Sequence, residues 1–150
     1  MKKFIAAALA LCFVLSLSIT AFAAEEDRET IITTSIEPTY TVTVPADTTV
    51  NFNDTETDFQ KIIVDAAQIE PDKYISVTLK TDGALNNTTD RTKELPYTIT
   101  DADGNPFSEG KYYKQGDSTA LKINITKDDW AAAYAGAYKD TVTFTISYAG

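Results

Sequence analysis

The run Gly136-Ala-Tyr-Lys-Asp-Thr-Val-Thr-Phe-Thr-Ile-Ser-Tyr148 decides how this chain folds. Val142, Phe144, Ile146 and Tyr148 alternate with Thr141, Thr143, Thr145 and Ser147. A period of two gives a sheet strand one apolar face and one hydroxyl face.

The pattern repeats on working back toward the start. Residues 119–126 place Leu121, Ile123 and Ile125 on one face, and residues 74–80 place Ile75, Val77 and Leu79 on one face with Tyr74, Ser76 and Thr78 on the other. Residues 95–100 predict another strand, leading into Asp101-Ala-Asp-Gly-Asn105, whose Asp103-Gly104 pair tolerates positive φ and predicts a hairpin. Residues 82–94 read as a long polar loop opened by Asp82-Gly83. Phe59, Ile62, Ile63, Ala66 and Ala67 also fit a helical spacing, but the β-branched run Ile62-Ile63-Val64 predicts a strand over 61–65. Pro38 and Pro45 bracket residues 40–44, where Tyr40, Val42 and Val44 share a face; prolines remove ladder donors, so these mark strand ends or an edge. Val50 and Phe52 extend the same sheet, and residues 30–36 begin the β-type sequence.

Between Thr126 and Gly136 the period changes. Thr126 and Asp129 have capping-box spacing, three alanines follow Trp130, and Gly136 supplies a left-handed stop. A crossover helix near 127–135 results, with Trp130 and Tyr134 one turn apart. About seven or eight short strands with this one helix predict an all-β, two-layer antiparallel sandwich of immunoglobulin-like or pilin-like type.

The other end of the chain reads as an export signal. Lys2 and Lys3 precede an apolar run from Phe4 to Ile19, and Ala21-Phe22-Ala23 offers the small-x-small pattern for cleavage after Ala23 or Ala24. The expected organisation is a signal peptide over 1–23, a flexible charged segment over 24–29 and a single domain over 30–150. Removing Lys2 and Lys3 takes 13 basic side chains to 11 against 22 acidic ones, so the net charge moves from -9 to -11. That balance disfavours nucleic acid and anionic membrane, whose phosphates need a basic track. The chain has no histidine, and its one cysteine, Cys12, lies in the leader, so common acid–base, thiol and metal chemistry lacks its usual side chains. No cofactor is expected, and no insertion into a membrane after cleavage. A chain of this size builds a stable core without disulfides. The absence of a sortase motif or apolar tail before Gly150 reads as diffusible or non-covalent retention at a surface.

Several residue groups carry candidate chemistry. Asp101, Asp103 and Asn105 at alternate positions resemble the opening of a calcium loop, with Glu109 in reach. Tyr112 then stands at the twelfth position where a glutamate belongs, and Gly104 at the fourth instead of the sixth, so a plain hairpin turn is the first reading. Tyr112 and Tyr113, flanked by Lys111 and Lys114, are candidate ligand-contact aromatics, since aromatic platforms bind with little entropy loss. Trp130, Tyr134 and Tyr138 are read as structural, with Trp130 plugging one end of the sandwich. A glycosidase needs two carboxyls about 5 Å or about 6.5–9.5 Å apart, and no pair stands out. Lys80, Lys122, Asn124 and Glu37 lie in or near strands as candidates for an intramolecular isopeptide bond.

The ending Ala135-Gly-Ala-Tyr138 with Asp140-Thr-Val-Thr-Phe-Thr-Ile-Ser-Tyr148, the segment Ile125-Thr-Lys-Asp-Asp-Trp130 and the early Tyr40-Thr-Val-Thr-Val-Pro-Ala46 resemble recurring segments of small secreted domains in surface and adhesin-like proteins of Gram-positive bacteria. The resemblance implies an immunoglobulin-like or pilin-like sandwich with a structural or adhesive role. The same ending is similar to the last strand of spore-coat-U type pilus subunits, in which an N-terminal segment of one subunit completes the sheet of the next. That similarity implies self-assembly by strand addition through residues 29–36; the family's disulfide has no counterpart here. The expected function is therefore a non-catalytic secreted or cell-surface domain with a structural, adhesive or assembly role, contacting a glycan, a protein or itself. The alternatives are a carbohydrate-binding module using exposed aromatics and, more distantly, a secreted hydrolase using acidic residues.

Overall fold

Period-two alternation becomes strand wherever it is clean, and an irregular pattern marks a bulge or a break. The computed structural model describes residues 29–150; the expected leader over 1–23 and the following charged residues up to 28 lie outside the described residues. The elements are β1 (Thr39–Thr43), β2 (Glu56–Gln68), β3 (Tyr74–Lys80), β4 (Ala84–Asn87), β5 (Glu94–Pro96), β6 (Thr98–Asp101), β7 (Glu109–Tyr112), β8 (Ser118–Asn124), α1 (Lys127–Ala132), β9 (Tyr138–Lys139) and β10 (Thr143–Ala149). They form a first sheet in the order β1-β2-β8-β6, a second in the order β10-β3-β7 and a small third in the order β5-β4-β9. All pairings are antiparallel. The fold is an all-β sandwich with one short helix, as expected, with ten strands instead of seven or eight.

The core draws Ile62, Val64, Leu121 and Ile99 from the first sheet and Ile75, Val77 and Tyr112 from the second, joined by Leu95, Tyr97 and Ile125. Phe59 meets Phe144 across the layers with ring centroids 6.1 Å apart. Each fully buried Ile, Val or Leu contributes about 1.5–3 kcal/mol by leaving water.

Strand β2 explains why its sequence looked partly helical. Its apolar residues in the core or packed against it are Phe59, Ile62, Val64 and Ala67, a spacing no regular strand allows. Two bulges supply the extra residues. Against β8 the register steps from Asp58↔Lys122 to Lys61↔Ala120, and against β1 from Ala66↔Thr41 to Val64↔Val42. Each bulge adds one residue to β2 and returns the next apolar side chain to the core face. Gln60 takes the left-handed backbone at the first, with φ 68° at Asn53 and 67° at Gln60 among the few such non-glycine residues. At the second, the carboxylate of the extra residue Asp65 accepts the Thr43 hydroxyl at 2.7 Å.

Several expectations are corrected. The strand expected over 95–100 is two, β5 in the third sheet and β6 in the first, because Pro96 cannot donate to a continuing ladder and the chain changes sheets there. The polar loop expected over 82–94 contains β4, whose Asn87 is buried and accepts from the Thr89 and Asp90 amides at 2.9 and 3.1 Å. The Asp103-Gly104 turn is a three-residue hairpin loop: Gly104 N–H donates to Asp101 C=O at 3.1 Å, only Gly104 has positive φ (85°), and Thr100 bridges Pro106. Ser76 faces outward as its alternation predicts, yet it is buried, its hydroxyl bonded to Glu109 at 2.8 Å. Residues 30–36 form no strand; the first is β1, which opens directly after Pro38. Val50 is half-buried and Phe52 exposed in a loop instead of extending a sheet.

Helix α1 begins as its cap predicts. Thr126 is extended at φ -73°, ψ 157°, and its hydroxyl accepts from the Asp129 amide at 3.1 Å. The helix stops at Ala132, short of 135, with Ala133 extended as the C-cap, so Gly136 is not its stop. Tyr134 consequently lies off the helix and is exposed. Trp130 packs half-buried against the core, and its indole N–H donates to the Asp54 carbonyl at 2.9 Å. It lies over the core at the helix end.

Candidate functional site

On the outer side of the second sheet, alternation turns Tyr74, Ser76 and Thr78 of β3 away from Ile75 and Val77. The same rule turns Lys111 of β7 away from Tyr112, and Thr143, Thr145 and Ser147 of β10 away from Phe144. The registers Ser76↔Lys111, Thr78↔Glu109, Ser76↔Ser147 and Thr78↔Thr145 lay these side chains out as rows across three strands. The result is an outer face of hydroxyls, with Ser76 covered, that carries two lysines, Lys80 and Lys111, one glutamate and an aromatic pair at its end.

That pair is Tyr74 and Tyr113. One position beyond the Ile75↔Tyr112 pairing, their ring centroids stand 5.8 Å apart with planes at 52°. Lys111 Nζ lies 4.7 Å from the centre of the Tyr74 ring, a cation–π distance. The neighbouring Tyr74 phenol, and behind it the charge of Glu109, holds the Lys111 ammonium above the ordinary lysine range. Tyr113 is 57% exposed. Its position is fixed from behind: Asp117 Oδ2 accepts from the amides of Tyr113 at 2.8 Å and Lys114 at 3.1 Å. The same turn is pinned to β2 by Gly116 N–H to Val64 C=O and Val64 N–H to Asp117 C=O, both at 2.9 Å. An exposed ring on a fixed backbone is pre-organised for contact.

Tyr112, the other candidate aromatic, is in the core at 3% exposure and donates to Thr119 Oγ1 of β8 at 2.9 Å. Strand alternation forces the two neighbours to opposite sides. Gly110 makes room for the inward ring, since a Cβ there would stand 2.5 Å from the Tyr112 hydroxyl. The sequence pointed to the right turn but paired Tyr113 with the wrong tyrosine. Its true neighbour, Tyr74, was legible as outward-facing on β3, and only the β3–β7 register brings them together.

The four candidate calcium ligands do not converge. Asp101 Oδ1 accepts from the amides of Asp103 and Asn105, each at 2.9 Å, and both carboxylate oxygens lie within 3.4 Å of Asn105 Nδ2. Those bonds, the Asn105 amide first, hold the Asp101 carboxyl below the ordinary aspartate range. Glu109 is engaged elsewhere, its Oε1 accepting the buried Ser76 hydroxyl at 2.8 Å. Among the described residues no group of three or more acidic side chains is placed to hold a metal ion. The Asp101 carboxylate serves the turn.

Lys122 lies 2.7 Å from Glu56 Oε1 as an exposed ion pair, worth about 0–1 kcal/mol. Asn124 Nδ2 donates to Thr100 Oγ1 at 2.9 Å. These residues line a shallow polar hollow of about 300 Å³ on the outer face of the first sheet. Neither Lys122 nor Asn124 is directed at the other as an isopeptide bond requires. At the helix end, Tyr138 donates to the Tyr134 carbonyl at 2.9 Å, Lys93 Nζ sits 4.6 Å from the Tyr134 ring centre, and Phe52 meets Trp130 edge-on at 5.5 Å. Tyr138 packs half-buried against the core, while Tyr134 contributes its backbone carbonyl and leaves its ring outside.

Compared with known proteins, the chain matches no family model, and no curated protein matches it.

Proposed function

We propose that this chain is a non-catalytic secreted or cell-surface domain with a structural, adhesive or assembly role, and that it makes contact through the outer face of the second sheet. The observation that carries the reading is Tyr113, exposed, backed by Tyr74 and held by Asp117. Pre-ordered aromatics next to hydroxyl rows and a lysine offer apolar area and hydrogen bonding at low entropic cost. The leader-like first residues, the acidic balance and the resemblance to adhesin-like Gram-positive surface domains support export to a bacterial surface.

Carbohydrate binding is the second reading, and the tilted Tyr74–Tyr113 pair favours it. Sugar rings present C–H faces to aromatic rings and hydroxyls to the neighbouring polar rows. A glycan array probed with the protein clustered on a multivalent carrier tests it. Binding by the wild type that falls about tenfold or more in Tyr113→Ala supports the glycan reading. Equal binding by both puts the glycan contact away from Tyr113, and no binding by either removes glycans and leaves a protein surface as the contact.

A further inference from the structure

Every open sheet raises the question of what its edge strands do with their unpaired N–H and C=O groups. In this fold the edges are unequal. Strand β1 is flanked by Pro38 and Pro45 and broken in register between Thr41 and Val42. The outer side of β6 is taken by Phe107 N–H, which donates to Ile99 C=O at 2.9 Å, and by the bridge between Thr100 and Pro106. Strand β7 has four residues and carries Lys111 and Glu109, and the third sheet ends in strands of three and two residues.

Strand β10 has none of these protections. It pairs with β3 through seven consecutive positions without a bulge, and among the described residues no strand lies on its other side. Residues 141–150 contain no charged side chain and no proline, in a chain of net charge -9. Ile146, on the strand's apolar face, is 36% exposed, at an edge the sandwich leaves partly uncovered.

We propose that β10 is a self-association edge, pairing antiparallel with β10 of a second copy about a two-fold axis at Ile146. Three features choose a second copy over another partner. The neutral strand is the longest uncharged edge among the described strands, seven residues against the five of the bulged β1, so two acidic chains can approach along it without like charges facing each other. The pairing is self-complementary: with Ile146 opposite Ile146 of the second copy, Phe144 meets Tyr148 and Thr145 meets Ser147, so both faces match. The two three-stranded sheets then become one continuous six-stranded sheet, a closed isologous contact. The Tyr74–Tyr113 faces of both copies lie on that joined sheet, which makes any weak contact by that face bivalent. The pairing itself does not depend on what the face binds.

The test is disulfide trapping and sedimentation of the exported chain. In a Cys12→Ala background, I146C is compared with T41C on the β1 edge under mild oxidation, and the otherwise wild-type chain is sedimented beside I146K, with circular dichroism confirming that each variant is folded. The expected result is a covalent dimer for I146C and none for T41C, a wild-type mass that rises from one chain to two with concentration, and association about tenfold weaker in I146K. A single-chain mass throughout, equal trapping at both positions, or a ladder beyond dimers, which signals head-to-tail addition, would overturn it.

Discussion

The Tyr97 hydroxyl donates to Asp140 Oδ2 at 2.5 Å across 43 residues of sequence, and Thr81 Oγ1 donates to the same oxygen at 3.0 Å. Tyr97 lies where the chain passes from the third sheet to the first, Asp140 follows β9 and Thr81 follows β3. One carboxylate oxygen therefore ties together segments leaving all three sheets.

Removing the phenol by Tyr97→Phe leaves Asp140 with Thr81 and the Thr141 amide as donors. The expected loss is about 1–2 kcal/mol, read as a lower urea midpoint with unchanged slope. Burial, and next the hydrogen bond to Asp140, push the Tyr97 phenol above its ordinary range. Above the unfolded value of 10.0 the unfolded chain loses this proton while the folded chain keeps it. Stability is therefore full below that pH and falls as pH rises through the raised folded value. Urea midpoints measured from pH 8 to about 11 should decline above 10 in the wild type and decline less steeply in Tyr97→Phe.

Gln60 holds a left-handed backbone at the first bulge, with φ 67°. A glycine there removes the Cβ penalty, set against the loss of the long 3.4 Å bond from Ala46 N–H to Gln60 Oε1. Gln60→Gly is expected to be neutral or stabilising by up to about 1 kcal/mol, and Gln60→Val destabilising by about 1–3 kcal/mol, since a β-branched residue resists that conformation. Chemical unfolding of the two variants checks the order.

Thr57 Oγ1 is buried without a hydrogen-bond partner, the one such side-chain atom found among the described residues. Valine has the same shape and no hydroxyl to desolvate. Thr57→Val is expected to raise stability by about 1 kcal/mol, visible as a higher thermal midpoint. A lower midpoint would show that the hydroxyl has a partner in solution.

Clean alternation made the fold legible. β3, β8 and β10 could be read because nothing interrupts their period, and the helix start because the Thr126 cap is local chemistry. β2 was obscured by its two bulges, which space apolar residues as a helix would. β4 was hidden because Asn86 and Asn87 are polar residues whose strand state comes from pairing with β5 and β9. The site was half legible: one turn, one exposed tyrosine. Its other half depended on a register between strands that begin at Tyr74 and Glu109, a tertiary fact with no local signal.

On the proposed function, the outer face of the second sheet is where this protein touches its surroundings. The most direct measurement is oxidative footprinting of tyrosines on the protein held at a bacterial or host surface, compared with the free protein. Protection is expected at Tyr74 and Tyr113, with Phe52 and Tyr134 unchanged. Protection confined to Phe52 and Tyr134, at the helix end, would contradict it.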